Sequence, residues 1–319
     1  MRFSPVTNNI QYKDSMYVAI SDSTAKVIFK GNSIDPASTL NVVNWNMEWF
    51  ATPDPSLGPA DKNLQAQNAQ TVLQNLHADV FILQEVVNET ALANIVSTMP
   101  GYAYKINNYG SHSNILESAP SPLTEVQKLA FVYNTAKVSN VTTTPLLSRG
   151  INTAADLTNP YYNDWASGRF PFMMTADVKL SDNNGGFTTH PVRFINIHAK
   201  ANTAPVLTSY ARRKDGAFAL DSIIKADYIN DNVLIAGDFN DDLNYTITAG
   251  ITPSVSSYSD FTVTDAALYA FPTMPLSPAG QHSDVSYSSV IDNVVTTKTM
   301  DKYYLTASAS VLSDAEAVR

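Results

Sequence analysis

Two hydrophobic patterns alternate along the chain. Short apolar runs without a polar break, such as Val80-Phe81-Ile82-Leu83, are typical of strands covered on both faces. Longer stretches, such as residues 59–77, place apolar side chains at helical spacing. Many strands with few helices predict an α/β fold of two packed sheets flanked by helices. Further strands are predicted at residues 41–45, 128–133, 172–180, 192–197, 233–236, 290–295 and 303–311, and further helices at residues 89–99 and 205–228.

Polar segments separate these elements. Residues 1–38 contain two short strand patterns and are predicted to be an N-terminal extension or linker. Residues 107–124, 142–168 and 254–288 are predicted to be long loops, and loops on a rigid scaffold commonly carry binding residues. No apolar run approaches the roughly 18 residues of a membrane-spanning helix, so no transmembrane segment is predicted.

The composition excludes several kinds of protein. A chain of 319 residues with 44% hydrophobic and 15% charged residues is typical of a folded globular protein. It contains no cysteine, which rules out disulfides, thiolate metal sites and cysteine nucleophiles. The formal charge of −9 argues against broad adhesion to nucleic acid or anionic membranes, but bound cations can reverse the local field in an acidic cleft. From this composition we expect a secreted or periplasmic bacterial protein, and no protein partner is predicted.

Acidic and amide side chains stand where predicted strands end. Asn46 and Glu48 follow the first strand of the domain, and Glu85 follows the strand at residues 80–83. Oxygen ligands of this kind suit Mg²⁺, Mn²⁺ or Ca²⁺. A surface glutamate after a strand is the alternative interpretation of Glu85.

A second acidic motif, Asp238-Phe239-Asn240, follows the strand at residues 233–236. Alternation places Asp238 and Asn240 on one side, although an Asn/Asp-rich turn is an alternative. A calcium-binding EF-hand loop is excluded, because Leu243 and Ala249 occupy the positions that need glycine and glutamate.

Two cationic side chains complete the candidate set. His198 ends the strand at residues 192–197, and Asp292 is a candidate to hold its imidazole. Arg169 is a second cation, with a surface salt bridge as the alternative role. The signatures of nucleotide-binding P-loops, dinucleotide-binding turns, α/β-hydrolase elbows and H-E-x-x-H zinc sites are all missing.

In this order, the motifs resemble the endonuclease/exonuclease/phosphatase superfamily, which includes pancreatic-type deoxyribonucleases, abasic-site endonucleases, sphingomyelinases and inositol polyphosphate 5-phosphatases. The resemblance covers residues 41–318 and implies a four-layer α-β-β-α sandwich, with a catalytic domain over residues 39–319. It implies that Asn46 and Glu85 bind the metal, with Glu48 nearby. The implied ion is Mg²⁺, with Mn²⁺ or Ca²⁺ as alternatives.

The resemblance also implies roles for the later motifs. His198 would contact the phosphate, with Asp292 as its carboxylate partner. Asp238 and Asn240 would orient the attacking water and the scissile phosphate. Apart from the resemblance, Arg169 is expected, as the second cation of the candidate set, to contact the substrate. Asp314 would belong to the closing Ser-Asp-His motif, close to the metal and among the catalytic residues.

The closing motif departs from the family pattern. Ala315 stands where the family has a histidine that binds the phosphate and acts as general base or acid. The chain is then an inactivated variant, a degenerate homologue, or an enzyme in which another group such as His282 substitutes. The intact remaining motifs and the retained Ser313-Asp314 favour the first explanation.

The function expected from this resemblance is phosphoester hydrolysis. We expect a divalent-metal-dependent phosphodiesterase, a nuclease acting on DNA or RNA, which is impaired by Ala315. One alternative is a phosphomonoesterase, or a phosphoesterase for lipid headgroups or inositol phosphates, from the same superfamily. The other is a non-catalytic module that binds a phosphate ligand.

Overall fold

A computed structural model describes residues 11–20, 23–32, 35–149, 157–182 and 184–312, with the backbone alone for residues 11–32. Its strands are β1 (Gln11–Ile20), β2 (Ser23–Asn32), β3 (Val42–Phe50), β4 (Val80–Val86), β5 (Tyr102–Ile106), β6 (Lys128–Asn134), β7 (Val138–Pro145), β8 (Phe172–Ser181), β9 (Phe187–His198), β10 (Val233–Asp238), β11 (Tyr269–Ala270) and β12 (Asp292–Thr297). Its α-helices are α1 (Lys62–Leu76), α2 (Glu89–Ser97), α3 (Tyr161–Asp164), α4 (Val206–Ile223) and α5 (Lys298–Asp301). None of these helices is long and apolar enough to cross a membrane.

The strands of the domain form two mixed sheets. The four-stranded sheet has the order β3-β4-β6-β5, in which β3 and β4 are parallel. The six-stranded sheet has the order β11-β12-β10-β9-β8-β7, in which β9 and β10 are parallel. Strands β1 and β2 form a separate antiparallel pair. The domain boundary at residue 38 remains a prediction.

Strand β4 shows how the layers arise. Val80 and Ile82 lie in a buried cluster between the two sheets, together with side chains of β8, β9 and β10. Phe81 and Leu83 face the other way and cluster with side chains of α1 and α2. Both faces of the strand are therefore apolar, as its unbroken hydrophobic run predicts.

Helix α4 covers the outer face of the six-stranded sheet. Ile195 and Ile235 of that sheet cluster with Ala217 and Leu220 of the helix. The layers therefore follow the order helix, sheet, sheet, helix, which confirms the predicted α-β-β-α sandwich.

Side-chain caps decide where the predicted helices begin. Asp61 accepts a hydrogen bond from the Leu64 backbone N–H at 2.9 Å, so α1 begins three residues later than the apolar pattern predicts. Asn88 caps α2 in the same way through the Ala91 N–H. α1 ends before His77, which adopts the left-handed region with φ 46°.

One predicted strand is wrong. Residues 303–311 contain turns instead, with the Ser308 N–H bonded to the Leu305 carbonyl at 3.0 Å and Ala307 at φ 60°. The preceding strand, β12, already pairs with β10 and β11, so neither of its edges is free for this segment. Three edge strands, β5, β7 and the two-residue β11, were not predicted, because half-exposed or very short edge strands lack an unbroken apolar run.

Candidate active site

Strand ends from both sheets meet at one edge of the sandwich. β9 and β10 are parallel, which places His198 beside Asp238 in register. β12 is antiparallel to β10, so its first residue, Asp292, lies on the other side of Asp238. The side-chain amide of Asn46 bridges Glu85 and Asp238, and so joins the two sheets. The structure therefore brings these five predicted residues to one place.

The carboxylate of Glu85 is held by three donors. Asn46 Nδ2 donates to Oε1 at 3.0 Å, and the Trp49 backbone N–H donates to Oε2 at 2.8 Å. The side-chain amide of Gln127 also donates to Oε2. These bonds fix the orientation of the carboxylate.

The backbone around Glu85 is irregular. The β3–β4 pairing shifts between Asn46 and Phe50, and the β4–β6 pairing shifts between Leu83 and Val86. Glu85 itself has φ 59°, a left-handed conformation that costs a non-glycine residue about 1–3 kcal/mol. Bulges of this kind re-aim side chains beside functional sites. Here the bulge allows Glu85 to reach the residues of the other sheet.

Asp238 is buried and accepts two hydrogen bonds. Its Oδ1 accepts from the Asn240 backbone N–H at 2.8 Å, and its Oδ2 accepts from Asn46 Nδ2 at 3.0 Å. Burial raises the pKa of Asp238 to about 6, and nearby Glu85 adds to this rise, while the two hydrogen bonds and Arg169 oppose it. A carboxylate with this pKa can accept a proton near neutral pH.

Gly237 makes this arrangement possible. A Cβ atom at this position would lie 1.9 Å from the carbonyl oxygen of Ile197 on the neighbouring strand. Only glycine permits such a close approach of two backbones. The register that sets His198 beside Asp238 therefore depends on this glycine.

His198 is buried with a neutral imidazole. Its Nε2 lies 3.6 Å from Glu85 Oε1 and 3.5 Å from Asp238 Oδ2. These carboxylates favour a protonated ring, but both lie beyond ordinary hydrogen-bond distance. Burial lowers the pKa of His198 well below its usual value, and the charges of Arg169 and Lys200 lower it further. The other ring nitrogen, Nδ1, has no hydrogen-bond partner among the described residues.

The predicted pairing of His198 with Asp292 is wrong. β10 lies between β9 and β12, so Asp238 separates the two side chains. Asp292 instead accepts a hydrogen bond from Asn44 Nδ2 at 3.4 Å, and its backbone N–H donates to Ser283 Oγ at 2.9 Å. Burial raises the pKa of Asp292 well above its usual value, and the charge of Asp238 adds to the rise.

Arg169 was predicted to contact the substrate, but it lies buried beneath the site. It is 5% exposed, and its Nε and Nη2 donate to the carbonyl oxygens of His198 and Ala199, each at 3.0 Å. Its Nη1 donates to Gln127 Oε1 at 2.6 Å. Burial lowers its pKa to about 10, and the guanidinium still carries its charge at neutral pH. Arg169 therefore places a buried positive charge beneath the carboxylates of the site.

The remaining predicted residues divide into three cases. Asn240 is buried at φ 51°, and its Nδ2 donates to the Ala199 carbonyl at 3.2 Å, close to the cluster. Glu48 is exposed, and the backbone N–H of Glu48, rather than its carboxylate, bonds to Asn46 Oδ1. Its side chain stands outside the cluster. Asp314 and Ala315 lie outside the described residues, so their predicted roles stay predictions.

A buried amide network below the site was not assigned a role from the sequence. Gln84 Nε2 donates to Asn44 Oδ1 at 2.9 Å and to Asn196 Oδ1 at 2.8 Å. Asn196 Nδ2 donates to the carbonyl oxygens of Leu83 and Ala130. Because buried amides need partners, these bonds hold the two sheets in a single alignment. The sequence signal was available, since amides interrupt otherwise apolar strands.

The donor set fits a divalent cation. Within the described ranges, one group of acidic and histidine side chains can hold a metal ion: Glu85, His198 and Asp238, with ligand atoms within 4.8 Å of one another. Carboxylate oxygens such as those of Glu85 and Asp238 are the ligands that suit Mg²⁺ or Mn²⁺, whereas an imidazole is more typical of transition-metal sites. Burial raises the pKa values of Asp238 and Asp292, and repulsion from neighbouring acids adds to both rises. A bound cation would relieve that repulsion.

A family model described as the Endonuclease/Exonuclease/phosphatase family matches residues 43–303, most of the chain. The chain belongs to this family. Its members are phosphoester hydrolases, and the match confirms the resemblance drawn from the motifs. No curated protein matches the sequence significantly.

Solved structures share the fold at low identity. The catalytic domain of Xenopus laevis APE2 is 12% identical, with 81% of this chain and 82% of that chain covered and a TM-score of 0.53. An endonuclease/exonuclease/phosphatase from Bacteroides vulgatus is 12% identical, with 81% and 87% covered and a TM-score of 0.50. The human Nocturnin catalytic domain is 15% identical, with 81% and 82% covered and a TM-score of 0.49. At these identities, the similarity to the first two structures concerns the fold alone.

Proposed function

We propose that the protein is a divalent-metal-dependent phosphodiesterase that hydrolyses DNA or RNA by in-line attack of water on phosphorus. The observation that carries the proposal is the cluster formed by the half-buried Glu85 and the buried Asp238 and His198, two carboxylates and a neutral imidazole. The proposed ion is Mg²⁺, with Mn²⁺ or Ca²⁺ as alternatives. A secreted or periplasmic location in bacteria is also a proposal, from composition.

In the proposed reaction, Asp238 takes a proton from the attacking water. Each of its oxygens accepts one hydrogen bond from the protein and keeps a lone pair for water. Its pKa of about 6 leaves the group largely ionised at neutral pH but basic enough to accept a proton.

His198 and Asn240 are proposed to hold the non-bridging oxygens of the phosphate. Burial keeps the imidazole neutral, so one ring nitrogen carries a proton that it can donate. The Asn240 amide is oriented by its bond to the Ala199 carbonyl. A divalent cation held by Glu85 would neutralise the negative charge that develops on the phosphoryl group.

Positive charge beside the cluster supports a polyanionic substrate. Lys200 follows His198 by two residues, and its Nζ donates to Thr203 Oγ1 at 2.6 Å and to the Ala201 carbonyl at 3.3 Å. Within the described part of the chain it forms no ion pair with a carboxylate. Burial lowers the pKa of Lys200, and the charges of Arg212, Arg169 and Arg213 lower it further. Unpaired positive charge here suits phosphates that flank the scissile one.

A substrate panel tests the reaction class. This chain and its Ala315→His variant would be given single-stranded DNA, RNA, bis(p-nitrophenyl) phosphate, p-nitrophenyl phosphate, sphingomyelin and an inositol polyphosphate, each with Mg²⁺, Mn²⁺ or Ca²⁺. Metal-dependent cleavage of nucleic acid supports the proposal. Exclusive cleavage of a monoester, a lipid headgroup or an inositol phosphate would replace the nuclease with another phosphoesterase of the family.

Oligonucleotide affinity tests the substrate class separately. Lys200→Met should raise the Kd for a fluorescent oligonucleotide roughly tenfold, because it removes one charged contact to phosphate. It should also reduce the dependence of log Kd on log salt concentration by about one. Lys214→Met is the matched control, since Lys214 is an exposed lysine on α4, next to Arg212 and Arg213. Equal effects of the two substitutions would argue against a phosphate contact at Lys200.

Ala315 supports one further candidate, a non-catalytic module that binds a phosphate ligand. In the alignment drawn from the motifs, Ala315 replaces the family's closing histidine, whereas the residues proposed to hold a cation and a phosphate are all present. If Ala315→His turns over none of the panel substrates and oligonucleotide binding persists, the binding module is the better description.

A further inference from the structure

A chain of three buried or nearly buried side chains runs beneath the site. Arg169 Nη1 donates to Gln127 Oε1 at 2.6 Å, and Gln127 Nε2 donates to Glu85 Oε2. Arg169 is 5% and Gln127 8% exposed, so neither group exchanges these partners freely with water. Gln127 belongs to none of the sequence motifs and has no part in the reaction proposed above.

The direction of these two hydrogen bonds is determined by which atoms can donate. A guanidinium group has only donors, so the atom of Gln127 that faces Arg169 must be the carbonyl oxygen. The NH₂ group of the same amide therefore points to Glu85, where it needs an acceptor. In this way Arg169 determines which end of the Gln127 amide contacts the Glu85 carboxylate.

Lys128 ties together the two backbone segments that carry Gln127 and Glu85. Its Nζ donates to the carbonyl oxygens of Val87 at 2.6 Å and Val126 at 3.3 Å, and also to the carbonyl of Leu123. Val87 stands two residues after Glu85, and Val126 immediately precedes Gln127. The amide and the carboxylate are therefore held together by the backbone as well as by their own hydrogen bond.

We infer that Gln127 is a positioning residue: it transmits the fixed orientation of Arg169 to Glu85 and so keeps the carboxylate turned toward the cation position between the sheets. The inference rests on the proposed function, because that function assigns the cation to Glu85. Outer partners of this kind typically change metal affinity by about 10–100-fold when they are removed.

The test measures binding of Mn²⁺ alone by isothermal titration calorimetry, without substrate. Gln127→Met keeps the length of the side chain but removes both hydrogen bonds, so its Kd for Mn²⁺ should rise at least about tenfold. Gln74→Met is the matched control: the Gln74 amide bonds to Thr98 on the helix layer, away from the site. Its Kd should equal that of the unmodified chain.

Melting temperatures measured in EDTA separate positioning from folding. A weaker Mn²⁺ site with a melting temperature close to that of Gln74→Met supports the inference. An unchanged Kd overturns it. If Gln127→Met fails to fold, Gln127→Asn takes its place, since the shorter amide cannot reach both partners and should weaken Mn²⁺ binding in the same direction.

A double-mutant cycle tests whether Gln127 acts through Glu85. In a Glu85→Gln background, Gln127→Met should cause little further loss of Mn²⁺ affinity, whereas independent effects would add. Full additivity contradicts the positioning role. If the unmodified chain binds no Mn²⁺ at all, the metal-dependent function fails and this inference falls with it. If that chain binds Mn²⁺ and Gln127→Met leaves its Kd unchanged, the inference alone fails.

Discussion

The two sheets bring carboxylates to the same edge but hold them in different ways. Glu85, on the four-stranded sheet, stands on a bulged backbone with φ 59° and accepts hydrogen bonds from three protein donors. Asp238, on the six-stranded sheet, ends a regular strand, with His198 and Asp292 beside it in register. Burial and neighbouring acids raise the pKa values of both Asp238 and Asp292.

This difference suggests that the two sheets have different roles in the proposed reaction. A bulge aims one side chain and surrounds it with backbone and amide donors, which suits a carboxylate that must hold a cation in place. A regular ladder instead buries neighbouring strand ends side by side, and this burial, with nearby acids adding to it, makes the acidic groups there more basic. We therefore propose that Glu85 of the four-stranded sheet contributes most to cation binding, and that Asp238 of the six-stranded sheet serves mainly in proton transfer.

The largest expected effect is that of Asp238→Asn on turnover. With histidine introduced at position 315, this substitution should lower kcat by about 10²–10⁴-fold, because the amide cannot take a proton from water. Its effect on Mn²⁺ affinity should be smaller than that of Glu85→Gln. Steady-state kinetics and calorimetry on the same samples check both statements. If Asp238→Asn and Glu85→Gln weaken Mn²⁺ binding equally, the division between the sheets is wrong.

The next effect concerns the missing histidine. Ala315→His should raise kcat on a phosphodiester by at least about 10²-fold, because it restores a group that binds phosphate and moves a proton. The measurement compares single-turnover rates of the two proteins with the substrate that performs best in the panel. Equal rates would show that the Ser313-Asp314 alignment is wrong or that another group, with His282 the first suspect, carries the chemistry.

The affinity for the cation is expected to depend on Glu85. Glu85→Gln should raise the Kd for Mn²⁺ by at least about tenfold, since it replaces a charged ligand with a neutral one of the same shape. Glu48→Gln is the matched control, because Glu48 is exposed and stands outside the cluster. Titration calorimetry checks both. If Glu48→Gln also weakens Mn²⁺ binding, Glu48 must be counted among the metal ligands.

The remaining prediction concerns stability as a function of pH. The carboxyl group of Asp238 has a pKa of about 6 in the folded chain and an ordinary value of 3.8. The ionised form is thus disfavoured on folding: the destabilisation is absent below about pH 4 and complete above about pH 6, where it is on the order of 3 kcal/mol. In EDTA, the melting temperature of the unmodified chain should therefore fall more between these pH values than that of Asp238→Asn. Parallel pH profiles for the two proteins would contradict this.

Most of the layer structure could be predicted from the sequence. The unbroken run from Val80 to Leu83 marks a strand covered on both faces, and the structure places helices on one side and the second sheet on the other. Such patterns are local and reflect burial directly. The segment at residues 303–311 was also predicted to be a strand, but both edges of the preceding strand β12 are already paired, and no local pattern reveals that.

The candidate site was predicted in part. Residues at strand ends, such as Asn46, Glu85 and Asp238, were found because a polar group after a buried strand is visible in the sequence. Gln127 was not found, because it precedes β6 and reaches Glu85 only through a register shift between β4 and β6. The burial of Arg169 was equally invisible, since its acceptors are backbone carbonyls that any residue can supply.

By itself, the sequence determined the strands and helices of the core, the oxygen-rich ligands and the family. Only the tertiary structure decided which groups meet: His198 faces Glu85 and Asp238 instead of Asp292, because strand order places β10 between β9 and β12. It also decided the charge states, which follow from burial and from neighbours distant in sequence. Local patterning records which residues are buried, whereas pairing and protonation depend on contacts between segments more than a hundred residues apart.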